Sequence, residues 1–253
     1  MSNGFSEAEV AQFGRDGYQI VRGLVSAGAC AHMREIAERD LAAVVPPLEY
    51  EAETRYPGAP SSLEAPGGRT VRRLLQAYGR DGVYRDNATA EPVAVRLRQL
   101  LGSRVALAQA HHNCVMTKHP RYSSLTSWHR DIRYWSYQRP ELVSVWFALG
   151  EERLDNGCLL VIPGSHRMEF ASERLDEAQF LRPDIAENAD LLRTQVPVEL
   201  QPGDVLFFHC RLFHAAGNNR SVHTKFSAVF TYRATDNAPL PGSRSAGQPD
   251  VML

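Results

Sequence analysis

Lysine is nearly absent from this chain: of 28 basic side chains, 26 are arginine and only Lys118 and Lys225 are not. Against 29 acidic residues this leaves a formal net charge of −1, so bulk charge draws the chain toward neither nucleic acid nor a membrane surface. No apolar run reaches the roughly 20 residues that a membrane-spanning helix needs. The opening MSNGFSEAEVAQF has no basic-then-apolar targeting pattern, which makes a cytoplasmic location the expectation. The cysteines, Cys30, Cys114, Cys158 and Cys210, form no CxxC, which argues against a zinc knuckle or a disulfide framework and for small buried hydrophobes. HExxH, the helical spacing by which many zinc hydrolases join two histidines, is also missing.

What is present suits one globular domain across residues 1–253, with 43% hydrophobic and 23% charged residues. The first part, about 5–101, reads as mainly helical. Ser6 followed by Glu9 forms a capping box. YQIVRGLV (18–25) suits a strand, and Ser26 caps a helix running to about Val45. Residues 46–70 hold five prolines and read as a long loop. Glu91–Leu101 is a further helix.

From about 104 to 234 the texture is that of strands: 105–116, 141–150, 157–164, 194–200, 204–210 and 225–233. Turn signals such as Asn156-Gly157 and Pro202-Gly203-Asp204 separate them. LDEAQFL (175–181) is expected as a helical insert, and 235–253 as an irregular tail. The predicted fold class is mainly β with flanking α-helices around a jelly-roll core. No internal repeat is found.

Within SWHRDIRYWS (127–136), His129 and Asp131 stand two apart. Nine histidines and 12 aspartates in 253 residues give about 0.4 such pairs by chance, so the pair alone is weak. In a strand, i and i+2 share a face, which would point both into the barrel. His209 and His214 are the candidates for a third ligand. His214, expected to close a strand at the barrel mouth, suits that role better than His209, which reads as a hydrogen-bonded core histidine. Two imidazoles and one carboxylate with open positions suit non-haem Fe(II), with zinc or another metal as alternatives.

Four stretches together resemble the phytanoyl-CoA dioxygenase family of Fe(II)/2-oxoglutarate oxygenases. They are EVAQFGRDGYQIVRGLVS, MTKHP leading to SWHRDIRYW, LDNGCLLVIPGSHR, and PGDVLFFHCRLFHAAGNNRS. The resemblance implies a double-stranded β-helix, with His129, Asp131 and His214 as iron ligands and 2-oxoglutarate as cosubstrate. It also implies oxidative decarboxylation to succinate and CO₂, coupled to hydroxylation of a C–H bond or to desaturation, epoxidation or ring formation. The carboxylate at 131 argues against halogenation, for which related enzymes carry a small residue there.

Two positions depart from the family pattern. Where an arginine usually pairs with the far carboxylate of 2-oxoglutarate stands Lys225, a compact charge that can make one strong bond in place of a planar fork. Ala216 stands where a hydroxyl is common, and Ser227, on the same face as Lys225, is the expected substitute. Counting by twos along 110–118 puts His112, Cys114, Met116 and Lys118 on one face. His112 and Met116, with Trp146 from a neighbouring strand, complete the expected cosubstrate wall, and Lys118 is expected to face substrate at the barrel mouth. Arg133 and Trp135 share parity with the ligand pair, and Arg121 precedes them. These four cationic and aromatic residues suggest an anionic or ring-bearing small molecule, and biosynthetic tailoring is the expected setting. A cupin-like isomerase or hydrolase, or a non-catalytic ligand-binding barrel, would use the same scaffold. No nucleic-acid or membrane partner is expected, and the chain is expected as a monomer or homodimer.

Overall fold

The computed structural model describes residues 4–54 and 56–253. α1 (Glu7–Asp16) starts as its sequence predicts: Ser6 Oγ accepts the Glu9 N–H at 3.3 Å while the Glu9 carboxylate accepts the Ser6 N–H at 2.8 Å. Gly17, at φ 84°, ends the helix in the left-handed region and turns the chain into β1 (Tyr18–Val21). Ser26 caps α2 (Ala27–Ala42), which buries Cys30, Met33, Ile36 and Ala37 and stops at Ala42, short of Val45.

The stretch expected as one long loop contains β2 (Leu48–Tyr50) and a helical turn, α3 (Glu51–Thr54). β2 pairs with β3 (Val71–Leu75), so the loop is partly recruited into a sheet by a partner distant in sequence. α4 (Ala77–Arg80), α5 (Gly82–Ala88) and α6 (Glu91–Leu101) complete the helical part, α6 with the predicted bounds.

The remaining strands are β4 (Val105–Leu107), β5 (Asn113–Lys118), β6 (Thr126–His129), β7 (Leu142–Ala148) and β8 (Leu159–Val161), then β9 (Val196–Val198), β10 (Val205–His209), β11 (His214–Ala216), β12 (Lys225–Ala234) and β13 (Val251–Met252). Among the described residues, nine strands form a large antiparallel sheet ordered β1-β10-β7-β12-β5-β3-β2, with β4 pairing β12 and β13. Four form a smaller sheet, β6-β11-β8-β9. The two sheets face each other as a jelly roll. Alternation along β7 explains the layering. Val145 and Phe147 point to the helices and pack with Met33, Leu97 and Phe230, whereas Trp146 and Ala148 face the barrel with Leu159, Leu206 and Phe208. Burying each such Phe or Leu stabilises the fold by about 1.5–3 kcal/mol.

Several expectations are corrected. The run 105–116 is two strands broken at 108–112. LDEAQFL is no helix: Leu175 and Leu181 bridge, and the Asp176 carboxylate accepts the Phe180 N–H at 2.8 Å, a local bond that competes with helical pairing. The nearby helix is instead α7 (Ala186–Leu192). His214 opens a strand, because β10 ends at His209 and the chain turns through 210–213. The tail contributes β13, paired with β4. Among the described residues no helix is long and apolar enough to cross a membrane.

Candidate active site

β6 and β11 are neighbours in the small sheet, and their register sets His129 directly opposite His214. The two imidazole centroids are 4.3 Å apart. Each ring is held the same way: Nδ1 lies 2.8 Å from Ser127 O in His129 and 3.0 Å from Leu212 O in His214. A carbonyl only accepts, so each Nδ1 carries the proton and each Nε2 offers a lone pair. Burial pushes the His129 pKa down to about 3, which keeps that ring neutral, as a metal ligand must be.

Asp131 reaches the same point by a different route from the one its spacing suggests. It lies outside β6 and opens a 3-10 turn, Asp131–Tyr134, tied down where the Ile132 N–H donates to Cys210 O at 3.0 Å. Its carboxylate is fully buried. Ser144 Oγ, on β7, donates to Oδ2 at 3.1 Å, and His112 Nδ1 is 3.5 Å from the same oxygen. Oδ1 has no hydrogen-bond partner, yet sits 3.5 Å from His214 Nε2 and 3.8 Å from His129 Nε2. Three lone-pair donors facing one another without a proton between them repel, and a buried unmatched oxygen is costly. A divalent cation resolves both, and the three ligand atoms lie within 4.8 Å of one another. Two nitrogens and one oxygen from one side, with the other side open, is a donor set that fits Fe(II).

The cavity that holds these three side chains is also lined by His112, Met116, Lys118, Trp146 and Lys225, so it gathers five more of the expected residues. Ser227 is fully buried behind Lys225, whose Nζ donates to its Oγ at 3.1 Å. The rim expectation fares differently, because the 3-10 turn breaks the parity counted through 129–135. Trp135 packs with Ala108, Tyr137 and Cys210 and lines an adjoining cavity, its ring 5.5 Å from that of His112. The Arg133 guanidinium lies 3.9 Å from the Phe180 ring centroid and 4.6 Å from that of Tyr134 and lines neither cavity. Arg121 is exposed in a loop and also lines neither.

Lys118 is buried without a carboxylate: its ammonium donates to Ser124 O at 3.0 Å and Gly217 O at 2.6 Å. Burial, reinforced by Arg72 and Lys225, pushes its pKa well below the usual lysine value. The bond to Gly217 needs Gly157, at φ 77°, because a Cβ there would stand 2.6 Å from Gly217 O and 2.9 Å from Lys118 Cδ.

Sequence reasoning missed three charged residues. Arg72 and Arg73 line the cavity from β3, a strand no local pattern announces. Arg72 is 3% exposed, donates to Thr126 Oγ1 at 2.8 Å, and has Nε and Nη1 without hydrogen bonds, although Nη1 lies 3.6 Å from the buried Glu51 carboxylate. Arg73 pairs with Glu49. Glu152, fully buried, pairs with Lys225 at 2.9 Å. Its setting, EERLDNG, reads as a solvated hairpin, and nothing local signals its burial.

Residues 13–227 match the family model described as phytanoyl-CoA dioxygenase (PhyH). Ectoine dioxygenase of Sphingopyxis alaskensis is 26% identical over 249 residues, 92% of this chain and 77% of that protein. A probable phytanoyl-CoA dioxygenase of Caenorhabditis elegans is 26% identical over 61% of this chain, which spans about half (52%) of its length. Among solved structures, EctD from S. alaskensis with 2-oxoglutarate and 5-hydroxyectoine superposes with TM-score 0.75 at 25% identity, covering 93% of this chain and 78% of that one. SnoN, a non-haem α-ketoglutarate-dependent epimerase from nogalamycin biosynthesis, gives 0.73 at 25% identity, covering 93% and 85%.

Proposed function

Because the chain belongs to the phytanoyl-CoA dioxygenase family, we propose that His129, Asp131 and His214 hold its iron and that Lys225 receives the far carboxylate of 2-oxoglutarate. The protein is an Fe(II)/2-oxoglutarate-dependent dioxygenase acting on a small molecule. Bound iron, with 2-oxoglutarate and dioxygen, supplies the oxidising power for attack on a C–H bond, and hydroxylation is the outcome proposed here. The observation that carries the ligand assignment is the unpartnered Asp131 Oδ1 facing two Nε2 lone pairs.

The chain's own residues do the remaining work. The Ser127 and Leu212 carbonyls fix both imidazoles in the ligating tautomer, and Ser144 orients the carboxylate. Phe208, Leu159, Met116 and Trp146 form an apolar wall that excludes water from the site. Lys225, with Ser227 beneath it, is the cation suited to the far carboxylate, while His112, beside Asp131, marks the side toward the substrate.

The substrate approach is the adjoining cavity, which shares Tyr56, Arg73, His112 and Tyr134 with the first. Trp135, Tyr56 and Tyr134 favour a ring-bearing molecule. Both signs of charge are present, from Arg73 and Arg244 against Glu49 and Glu53, so a molecule with paired donors and acceptors fits better than a simple anion. A biosynthetic role draws support from the likeness to SnoN. A cytoplasmic setting accords with four free buried cysteines.

The test is anaerobic reconstitution with Fe(II) and 2-oxoglutarate. A weak visible absorption band is expected, together with succinate release once O₂ is admitted, and both vanish in His129→Ala. Succinate release that persists in His129→Ala overturns the ligand assignment.

A further inference from the structure

Glu152 follows β7, and its backbone is clamped to Leu200, with the Glu152 N–H donating to Leu200 O at 2.8 Å and the Leu200 N–H returning to Glu152 O at 3.0 Å. That pairing fixes the direction of the side chain, which is fully buried. Glu152 Oε1 accepts from Trp146 Nε1 at 2.7 Å and from Ser227 Oγ at 2.6 Å. Oε2 accepts from Lys225 Nζ at 2.9 Å. The polar atoms of Trp146, Ser227 and Lys225, three groups suited to a cosubstrate, are therefore already engaged by a carboxylate of the protein. Lys118 stands opposite Lys225 in the β5–β12 register, and its Nζ donates to the backbone carbonyls of Ser124 and Gly217. The cavity thus holds two lysines, and the one at the cosubstrate anchor is the one paired with a carboxylate.

We propose that Glu152 sets the specificity of the cosubstrate pocket: it is a resident carboxylate that offsets Lys225 and narrows the advantage of 2-oxoglutarate over 2-oxo acids lacking a second carboxylate. The physical reason is the low polarity around the pair. A far carboxylate that reaches Lys225 brings a second negative charge beside Glu152, and two carboxylates sharing one ammonium in a buried site repel. A 2-oxo acid with an apolar tail carries no such penalty and meets Trp146 and Leu159 instead. An ammonium without a resident partner would give the dicarboxylate the full benefit of a charge-assisted bond. The inference rests on Lys225 as the far-carboxylate anchor.

The test measures binding without turnover, by calorimetric titration of the Zn(II)-loaded protein with 2-oxoglutarate and with 2-oxopentanoate, which has the same carbon count and no second carboxylate. The wild type is expected to prefer 2-oxoglutarate by less than about tenfold, below what one charge-assisted bond ordinarily gives. Glu152→Gln, nearly isosteric, is expected to raise that preference by about tenfold or more through tighter 2-oxoglutarate binding alone. Lys225→Met is expected to abolish it. If Lys225→Met keeps the wild-type preference, the anchor lies elsewhere and the inference falls with that reading. If Lys225→Met loses the preference but Glu152→Gln leaves it unchanged or lowers it, the anchor stands and Glu152 is only a prop for the lysine. Should Glu152→Gln fail to fold by circular dichroism, the wild-type ratio decides: below about tenfold supports the inference, above it overturns it.

Discussion

Asp131 Oδ1 lies 3.5 Å from His214 Nε2 with no hydrogen bond reaching it, although the carboxylate is wholly buried. The site is built around that unmatched acceptor, and its consequences can be measured.

Asp131→Asn keeps the shape and removes the charge. An amide N–H can then face the histidine lone pairs, so the metal-free protein is expected to gain about 1–3 kcal/mol of stability, the ordinary cost of an orphaned buried acceptor. Metal binding is lost at the same time. Thermal denaturation with and without Co(II) reads both changes, and a metal-free variant less stable than the wild type contradicts the argument.

Ser144→Ala removes the hydroxyl that orients Asp131 from β7. Losing a partner of this kind weakens metal affinity by about 10–100-fold while leaving all three ligands in place. Competition with a chelator of known affinity measures it. Unchanged affinity would mean that the 3-10 turn alone fixes the carboxylate.

Phe208 packs its ring 5.2 Å from that of His214 and is 1% exposed. Phe208→Ala is expected to cost about 3–5 kcal/mol of folding stability. It also frees the imidazole to tilt, so metal affinity should fall as well. Urea denaturation and metal titration on the same sample separate the two effects.

His209 sits away from the candidate metal site, and its Nδ1 accepts the Arg211 N–H at 3.1 Å, which requires the neutral ring. Burial first, then His166 and Arg211, push its pKa down to about 3 from 6.5. The unfolded chain therefore binds a proton that the folded chain refuses between those values. Stability from this group is complete above pH 6.5 and falls as pH drops, by about 1.4 kcal/mol per pH unit within the window. His209→Gln should flatten the pH dependence of unfolding free energy between pH 4 and 6. An equally steep slope in the variant contradicts this assignment.

Much of the architecture was legible in the sequence because it is encoded locally. Ser6 with Glu9 marked α1, Ser26 marked α2, and strand-like runs bounded by turn signals marked β7, β10 and β12. Where local preference and tertiary demand diverged, the reading failed. Leu175–Leu181 has helical composition, but its two leucines are wanted in the core with Phe213 and Ile162, and the segment closes as a turn. β2 and β3 exist because β5 offers an edge, a fact about a third strand that no window around residue 48 or 71 contains.

The sequence by itself determined much of the scaffold, because caps, strand-like runs and turn signals are short-range properties of the chain, and its resemblance to a family, carried by motifs along the chain, supplied the three ligand candidates. Only the tertiary structure decided the electrostatics between them. It decided that Asp131 arrives from a 3-10 turn, that Arg133 lines neither cavity while Trp135 lines the adjoining one, and that Glu152 meets Lys225 from 73 residues away. Charge pairing in a buried site depends on distance in space and on desolvation, and neither is written in the order of residues along the chain.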